Sequence, residues 1–149
     1  MKYSLPFYES TKIRFQEELD PIKKTFRLVL LCEELIKFHT VVVVQNYLHS
    51  SQINSEGKAY LGKGLKRPSL SIWAFFTEMI HPLIKKENLF WKDFPEYFNE
   101  ILKHNTLELI RFRNRIHHGT TPTEKSCIED IDKYYPIVLK IESAGIIGR

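Results

Sequence analysis

Glycine and proline are scarce in this chain, with six glycines and seven prolines among 149 residues. So few turn-forming residues leave little room for a β-sandwich, which needs a turn signal between all of its short strands. The two cysteines, Cys32 and Cys127, lie far apart and belong to no Cys-x-x-Cys or Cys/His spacing. We therefore predict neither a disulfide scaffold nor a zinc site.

No long hydrophobic run is present either. The apolar stretch of four valines at residues 41–44 is far too short to cross a bilayer, and no uninterrupted apolar run in the chain exceeds five residues. The N-terminal residues, MKYSLPFYES, lack the apolar centre of a signal peptide. We expect a cytoplasmic protein that makes no membrane contact and uses no metal or other cofactor.

The composition that remains is typical of a globular domain, with 43% hydrophobic and 27% charged residues. The net charge of +4 permits an anionic partner without requiring one. We interpret residues 1–19 as a lead-in segment and residues 20–149 as a single domain. The C-terminal residues contain no clear stop signal, so this domain is also compatible with the N-terminal part of a larger protein.

Helix signals dominate the chain. Asp20-Pro21 predicts a helix start, because a capping side chain precedes proline at the first helical position. We expect this helix to run to about residue 49, through the valines, with an apolar stripe that includes Ile22, Phe26 and Leu30. Residues 50–68 contain several helix breakers and are predicted to form a loop.

Four further helices are expected. They cover about residues 68–86, with a kink or early end at Pro82; about 94–103; from a capping box at Asn105 to Gly119; and about 124–143, interrupted at Pro136. The predicted fold is an all-α bundle of about five helices, two of them long.

The helix that ends at Gly119 carries the most informative residues. Leu109, Phe112 and Ile116 are spaced to face a core, whereas Arg111 and Arg115 fall on the opposite, solvent side. Arg113 lies at the edge of the core stripe, where its planar guanidinium could recognise a phosphate. A histidine near it could give or take a proton near neutral pH.

Two histidines compete for that role. In an ideal helix position 117 lies about 40° around the axis from Arg113, and position 118 about 140° away. Helical geometry therefore selects His117 as the partner within one chain. His118 would require an unwound helix end or a site shared by two chains.

The stretch from Arg113 to His118 resembles the Arg-polar-x-x-x-His motif of HEPN domains, which are all-α bundles of prokaryotic toxins, antiviral systems and RNA-processing proteins. The resemblance implies a metal-independent endoribonuclease, in which Arg113 stabilises the phosphate, Asn114 orients a partner group and His118 moves a proton. It also implies a homodimer with facing motifs, and an antitoxin or fused domain as a possible partner. A subgroup carries a modified tyrosine two residues after the histidine, where this chain has Thr120.

The alternative function is a non-catalytic helical module that dimerises or senses a nucleotide. Further candidate residues are basic side chains that could contact RNA and a carboxylate, Glu33, near the apolar face of the first long helix. We interpret Glu33 as a structural ion-pair partner for Arg113. The candidate RNA contacts are Lys63, Lys66, Arg67, Arg111 and Arg115.

Overall fold

The computed structural model describes residues 5–50, 54–66, 70–84, 89, 91–119 and 121–145. The fold is all-α, as predicted, and these residues contain no β-strand. The α-helices are α1 (Pro6–Glu17), α2 (Pro21–Ser50), α3 (Ser55–Lys66), α4 (Leu70–Ile80), α5 (Phe94–Tyr97), α6 (Lys103–His118) and α7 (Glu124–Ala144). A 3₁₀ turn covers His81–Leu83, and a π-helical segment covers Phe98–Leu102.

The chain divides into two compact units. The first consists of two separate segments, Met1–Leu35 and Glu100–Arg149, and the second is Ile36–Asn99. The division falls inside α2. The lead-in segment predicted for residues 1–19 is helical over α1.

Helix α1 packs against α7 in the first unit. The Tyr8 hydroxyl donates to Glu142 at 2.9 Å, and Lys12 forms an ion pair with the same carboxylate. The rings of Phe15 and Tyr135 lie 4.5 Å apart. Because α1 supplies buried aromatic residues to this unit, residues 6–17 form part of its core.

Helix α6 packs against α7 through aromatic rings. Phe112 and Tyr134 are stacked at a centroid distance of 4.3 Å, and Leu109 and Phe112 are fully buried as predicted. Thr123 caps the start of α7 in a reciprocal pair of hydrogen bonds with Ser126. These contacts fix the helix that carries the Arg113 motif.

Pro136 was expected to interrupt α7, and this prediction is wrong, since the helix continues to Ala144. Proline removes one backbone donor, which would have bonded the carbonyl of Asp132. Both residues are exposed, so water can satisfy that carbonyl.

The predicted loop over residues 50–68 is also wrong, because residues 55–66 form helix α3 in the second unit. Two of the glycines that suggested a loop are buried. A Cβ atom at Gly57 would lie 1.7 Å from the Tyr47 hydroxyl, and one at Gly64 would lie 1.8 Å from the Phe76 ring. Glycine therefore serves here for close helix packing rather than for a turn.

A buried polar pair lies elsewhere in the second unit. His39 is fully buried, and its Nε2 lies 2.9 Å from the hydroxyl of Tyr97. The side chain of Asn46 accepts a hydrogen bond from the backbone N–H of Trp91 at 3.0 Å. His81 stacks on Phe98 at 3.8 Å. These histidines are structural members of an aromatic core.

Helix α2 has the predicted length, but part of its predicted apolar stripe is wrong. Ile22, Phe26 and Leu30 are 37%, 43% and 53% exposed, whereas Leu28 and Leu31 are fully buried. The first half of α2 is apolar on two faces, so its periodicity alone could not identify the inner one.

None of the described helices combines the length and apolar character needed to cross a membrane.

Candidate functional site

Helix α6 does not begin at the predicted capping box. It follows α5 and the π-helical segment without a break, and the Asn105 side chain donates to the Ile101 carbonyl at 2.8 Å. The helix ends before Gly119, as predicted. A Cβ atom at Gly119 would lie 2.2 Å from the Arg115 carbonyl, so the close approach of the backbone requires glycine there.

Glu33 of α2 holds Arg113 of α6. The Nε atom of Arg113 donates to Glu33 Oε1 at 2.8 Å, and its Nη1 atom donates to the side-chain oxygen of Asn114 at 3.1 Å. The Arg113 side chain is 24% exposed and that of Glu33 is 16% exposed. The ion pair between Glu33 and Arg113 that the sequence suggested is present. Its two residues are 80 positions apart in the chain and lie on different helices.

The two histidines occupy different positions around the helix. His117 Nε2 lies 3.8 Å from the same Oε1 atom of Glu33 that accepts from Arg113. The His118 side chain is exposed, and its ring centre lies 6.4 Å from that of His117. The structure therefore brings together Arg113, Asn114, Glu33 and His117, and it places His118 at the edge of this group.

The other two arginines of α6 also have carboxylate partners. Arg111 donates to Glu108 at 2.7 Å, and Arg115 forms a bidentate pair with Asp130 of α7. The i, i+3 spacing of Glu108 and Arg111 was a usable sequence signal. No pattern in the sequence identified Asp130.

Among the remaining basic candidates, Lys63 and Lys66 lie in the last turn of α3 and are exposed. Arg67 lies outside the described residues. Helix α3 belongs to the second unit and α6 to the first, so these lysines and Arg113 lie in different units.

The described residues contain no group of three or more His, Cys, Asp or Glu side chains that could hold a metal ion. Cys32, next to Glu33 in the sequence, is fully buried, and burial raises the pKa of its thiol. A thiol of this kind is a poor nucleophile and a poor metal ligand, because the thiolate is the reactive form. The Arg113 group therefore offers a guanidinium, an amide, a carboxylate and an imidazole as its chemical groups.

No protein-family model, no curated protein and no solved structure matches this chain.

Proposed function

We propose that this protein is a metal-independent endoribonuclease of the HEPN type that acts in the cytoplasm, in a toxin or antiviral setting. The observation that carries the proposal is the Glu33-bound Arg113 beside Asn114 and an imidazole. Two of the five N–H donors of Arg113 are used by these neighbours, and the others can meet a phosphate. With an amide and two histidines within five residues, the group has the parts for phosphate binding and proton transfer.

The proposed reaction uses the 2′-hydroxyl of RNA as the nucleophile. Its oxygen forms a bond to the adjacent phosphorus while the bond from phosphorus to the 5′-oxygen breaks. One group accepts the 2′ proton and another gives a proton to the departing 5′-oxygen. Arg113 stabilises the negative charge that builds on the phosphate oxygens. In the motif that this chain resembles, a histidine at the position of His118 moves a proton.

A homodimer is part of this proposal. Ile22, Phe26 and Glu33 lie within about 40° of one another around α2, and Leu30 extends the same face. The three apolar residues, which we call the α2 stripe, are partly exposed and are continuous with the carboxylate that holds Arg113. In the proposed dimer this exposed apolar surface is the interface. A second copy bound on the α2 stripe would approach the Arg113 group.

The alternative, a non-catalytic dimerisation or nucleotide-sensing module, is favoured by one observation. All three arginines of α6 are paired with carboxylates, so the helix presents less positive charge than its sequence suggests. A module would bind a nucleotide through Arg113 and release it unchanged.

The test is RNA cleavage in the presence of EDTA by the wild type and Arg113→Ala, with Arg27→Ala as the control, because Arg27 of α2 is also an arginine paired with a carboxylate. The nuclease hypothesis predicts products ending in a cyclic phosphate and a loss of about 100-fold or more for Arg113→Ala. Arg27→Ala should cleave at nearly the wild-type rate. Binding of a nucleotide or RNA without any cleavage would favour the module.

A further inference from the structure

We propose that the outer face of helix α3, in the second unit, is a docking surface for the phosphodiester backbone of RNA. This surface, which we call the α3 lysine face, consists of Lys58, Ala59, Gly62, Lys63 and Lys66. The choice of RNA as the source of the phosphates rests on the proposed nuclease function, whereas the contact itself requires no cleavage.

The α3 lysine face exists because residues 55–66 form a helix and not a loop. The two buried glycines of α3 hold its inner side against Tyr47 and Phe76, and all five residues of the α3 lysine face are exposed on the other side. At about 100° per residue, the lysines cover about 140° of the helix circumference. From Lys58 to Lys66 they extend about 12 Å along the axis. One bound polyanion can therefore contact all three ammonium groups.

The charge of α3 favours an anionic partner. Among the described residues, Lys58 and Lys66 have no carboxylate partner, whereas all three arginines of α6 are paired with one. The only acidic residue of α3, Glu56, accepts a hydrogen bond from the Tyr60 hydroxyl at 3.0 Å. Lysine ammonium groups bind phosphates as point charges. The helix with available cations is therefore α3, although α6 carries more arginines.

Gly62 lies at the centre of the α3 lysine face. A Cβ atom there would meet no atom within 4 Å, so packing does not require glycine at this position, and glycine weakens a helix relative to alanine. Gly62 and Ala59 leave the space between the lysines free of long side chains. A phosphodiester chain can therefore approach the helix backbone closely. Because contacts to phosphates carry no sequence information, we expect binding that is independent of RNA sequence.

The binding test uses a 2′-O-methylated RNA oligonucleotide, which cannot be cut by attack of a 2′-hydroxyl. Gly62→Gln removes no charge and should unfold at the wild-type temperature or above, because glutamine favours a helix. It should nevertheless weaken binding about fivefold or more, since its side chain holds the phosphates away from the lysines. Lys58→Ala should reduce the slope of log K against log salt by about one.

The matched controls are Ala144→Gln and Lys133→Ala, which make the same kinds of change at exposed positions of α7 and should bind like the wild type. Wild-type affinity and salt dependence in both Gly62→Gln and Lys58→Ala would overturn the inference. Tighter binding of a DNA strand of the same sequence would contradict the choice of RNA. Binding to vesicles that contain phosphatidylserine, without binding to the oligonucleotide, would assign the α3 lysine face to a membrane and overturn the inference.

An NMR titration of the wild type separates this inference from the nuclease proposal and needs no variant. The oligonucleotide should shift the backbone amide signals of the α3 lysine face, and about 1 M salt should reverse the shifts. If these shifts occur and the wild type cuts no RNA, the nuclease proposal fails and the contact by α3 stands. If the wild type cuts RNA and the α3 signals do not move, the nuclease proposal stands and this inference is wrong.

Discussion

Arg115 of α6 and Asp130 of α7 are joined by two hydrogen bonds, from Nη1 to Oδ2 at 3.1 Å and from Nη2 to Oδ1 at 2.5 Å. The guanidinium also lies 5.7 Å from the ring centre of Phe112 and 5.9 Å from that of Tyr134. The hydrogen bonds to Asp130 raise the pKa of Arg115, which therefore stays charged at any working pH. Arg115 therefore links α6 to α7.

Asp130→Asn should lower the free energy of unfolding by about 1 kcal/mol, because it removes the charge from a bidentate pair. The effect is limited by solvent screening, since half of the Arg115 side chain is exposed. Urea denaturation of the variant and the wild type measures the difference. Glu108→Gln is the control, since its arginine partner is far more exposed. Equal stability of all three proteins would show that the pair contributes nothing.

The glycines of α3 should respond in opposite directions to the same substitution. Gly64→Ala places a methyl group in the volume of the Phe76 ring and should destabilise the protein by about 1–3 kcal/mol. Gly62→Ala meets no atom within 4 Å and should stabilise α3 by about 0.5–1 kcal/mol through helix propensity. Thermal unfolding of both variants tests this. A stabilising Gly64→Ala would contradict the close packing of α3.

The protein should lose stability in alkaline solution. Burial raises the pKa of Cys32, and burial together with the Glu142 carboxylate raises the pKa of Tyr8, from usual values of 9.0 and 10.0. The native state thus keeps protons that the unfolded chain releases. The contribution of these two protonated groups to the free energy of unfolding is complete below pH 9. Above its own usual pKa, each group loses about 1.4 kcal/mol of that contribution per pH unit.

Tyr8→Phe provides the control for this pH dependence. The variant loses the hydrogen bond to Glu142 and should be less stable than the wild type at neutral pH. Because it has no hydroxyl to ionise, the difference should shrink above pH 10. Urea denaturation midpoints of both proteins, measured across the alkaline range, test whether the difference shrinks. A constant difference would contradict the role of Tyr8.

Lys66 is the clearest test of RNA contact by α3. If it meets phosphates, Lys66→Ala should weaken binding similarly for all RNA sequences, and should reduce the slope of log K against log salt by about one. Lys133→Ala on α7 removes the same charge from an exposed site of the first unit and is the control. The measurement is fluorescence anisotropy with a non-cleavable oligonucleotide. Identical slopes for Lys66→Ala and the wild type would remove α3 from the RNA-binding surface.

The α2 stripe should determine the oligomeric state. Phe26→Glu places a charge in its centre and should convert a dimer to a monomer in sedimentation velocity. Leu139→Glu changes an exposed apolar residue of α7 instead and should leave the dimer intact. A wild type that is monomeric at all concentrations would contradict the homodimer proposal.

The fold class was predictable because helix starts, core spacing and helix ends agree along most of the chain. The start at Pro21, the end before Gly119 and the cap at Thr123 all follow from local chemistry. The error over α3 has its physical origin in tertiary contacts. Gly64 looks like a breaker in the sequence, and only the position of the Phe76 ring shows that it permits close packing. Local patterns do not contain such distant contacts.

The contacts of the candidate site were predictable to a similar degree. The position of Glu33 near the apolar face of α2 correctly suggested an ion pair with Arg113, and helical geometry correctly placed His117 on the side of Arg113. The partner of Arg115 was not predictable, because Asp130 lies on another helix in no recognisable pattern. Arg111 and Arg115 as RNA contacts stay predictions.

Glu33 and Arg113 are separated by 80 residues of chain, and the first unit is built from segments on both sides of the second. During translation Glu33 is therefore synthesised 80 residues before Arg113. A nascent chain or a product of premature termination before α6 carries Glu33 without Arg113 and His117. The group around Arg113 is therefore complete only after α6 has been translated.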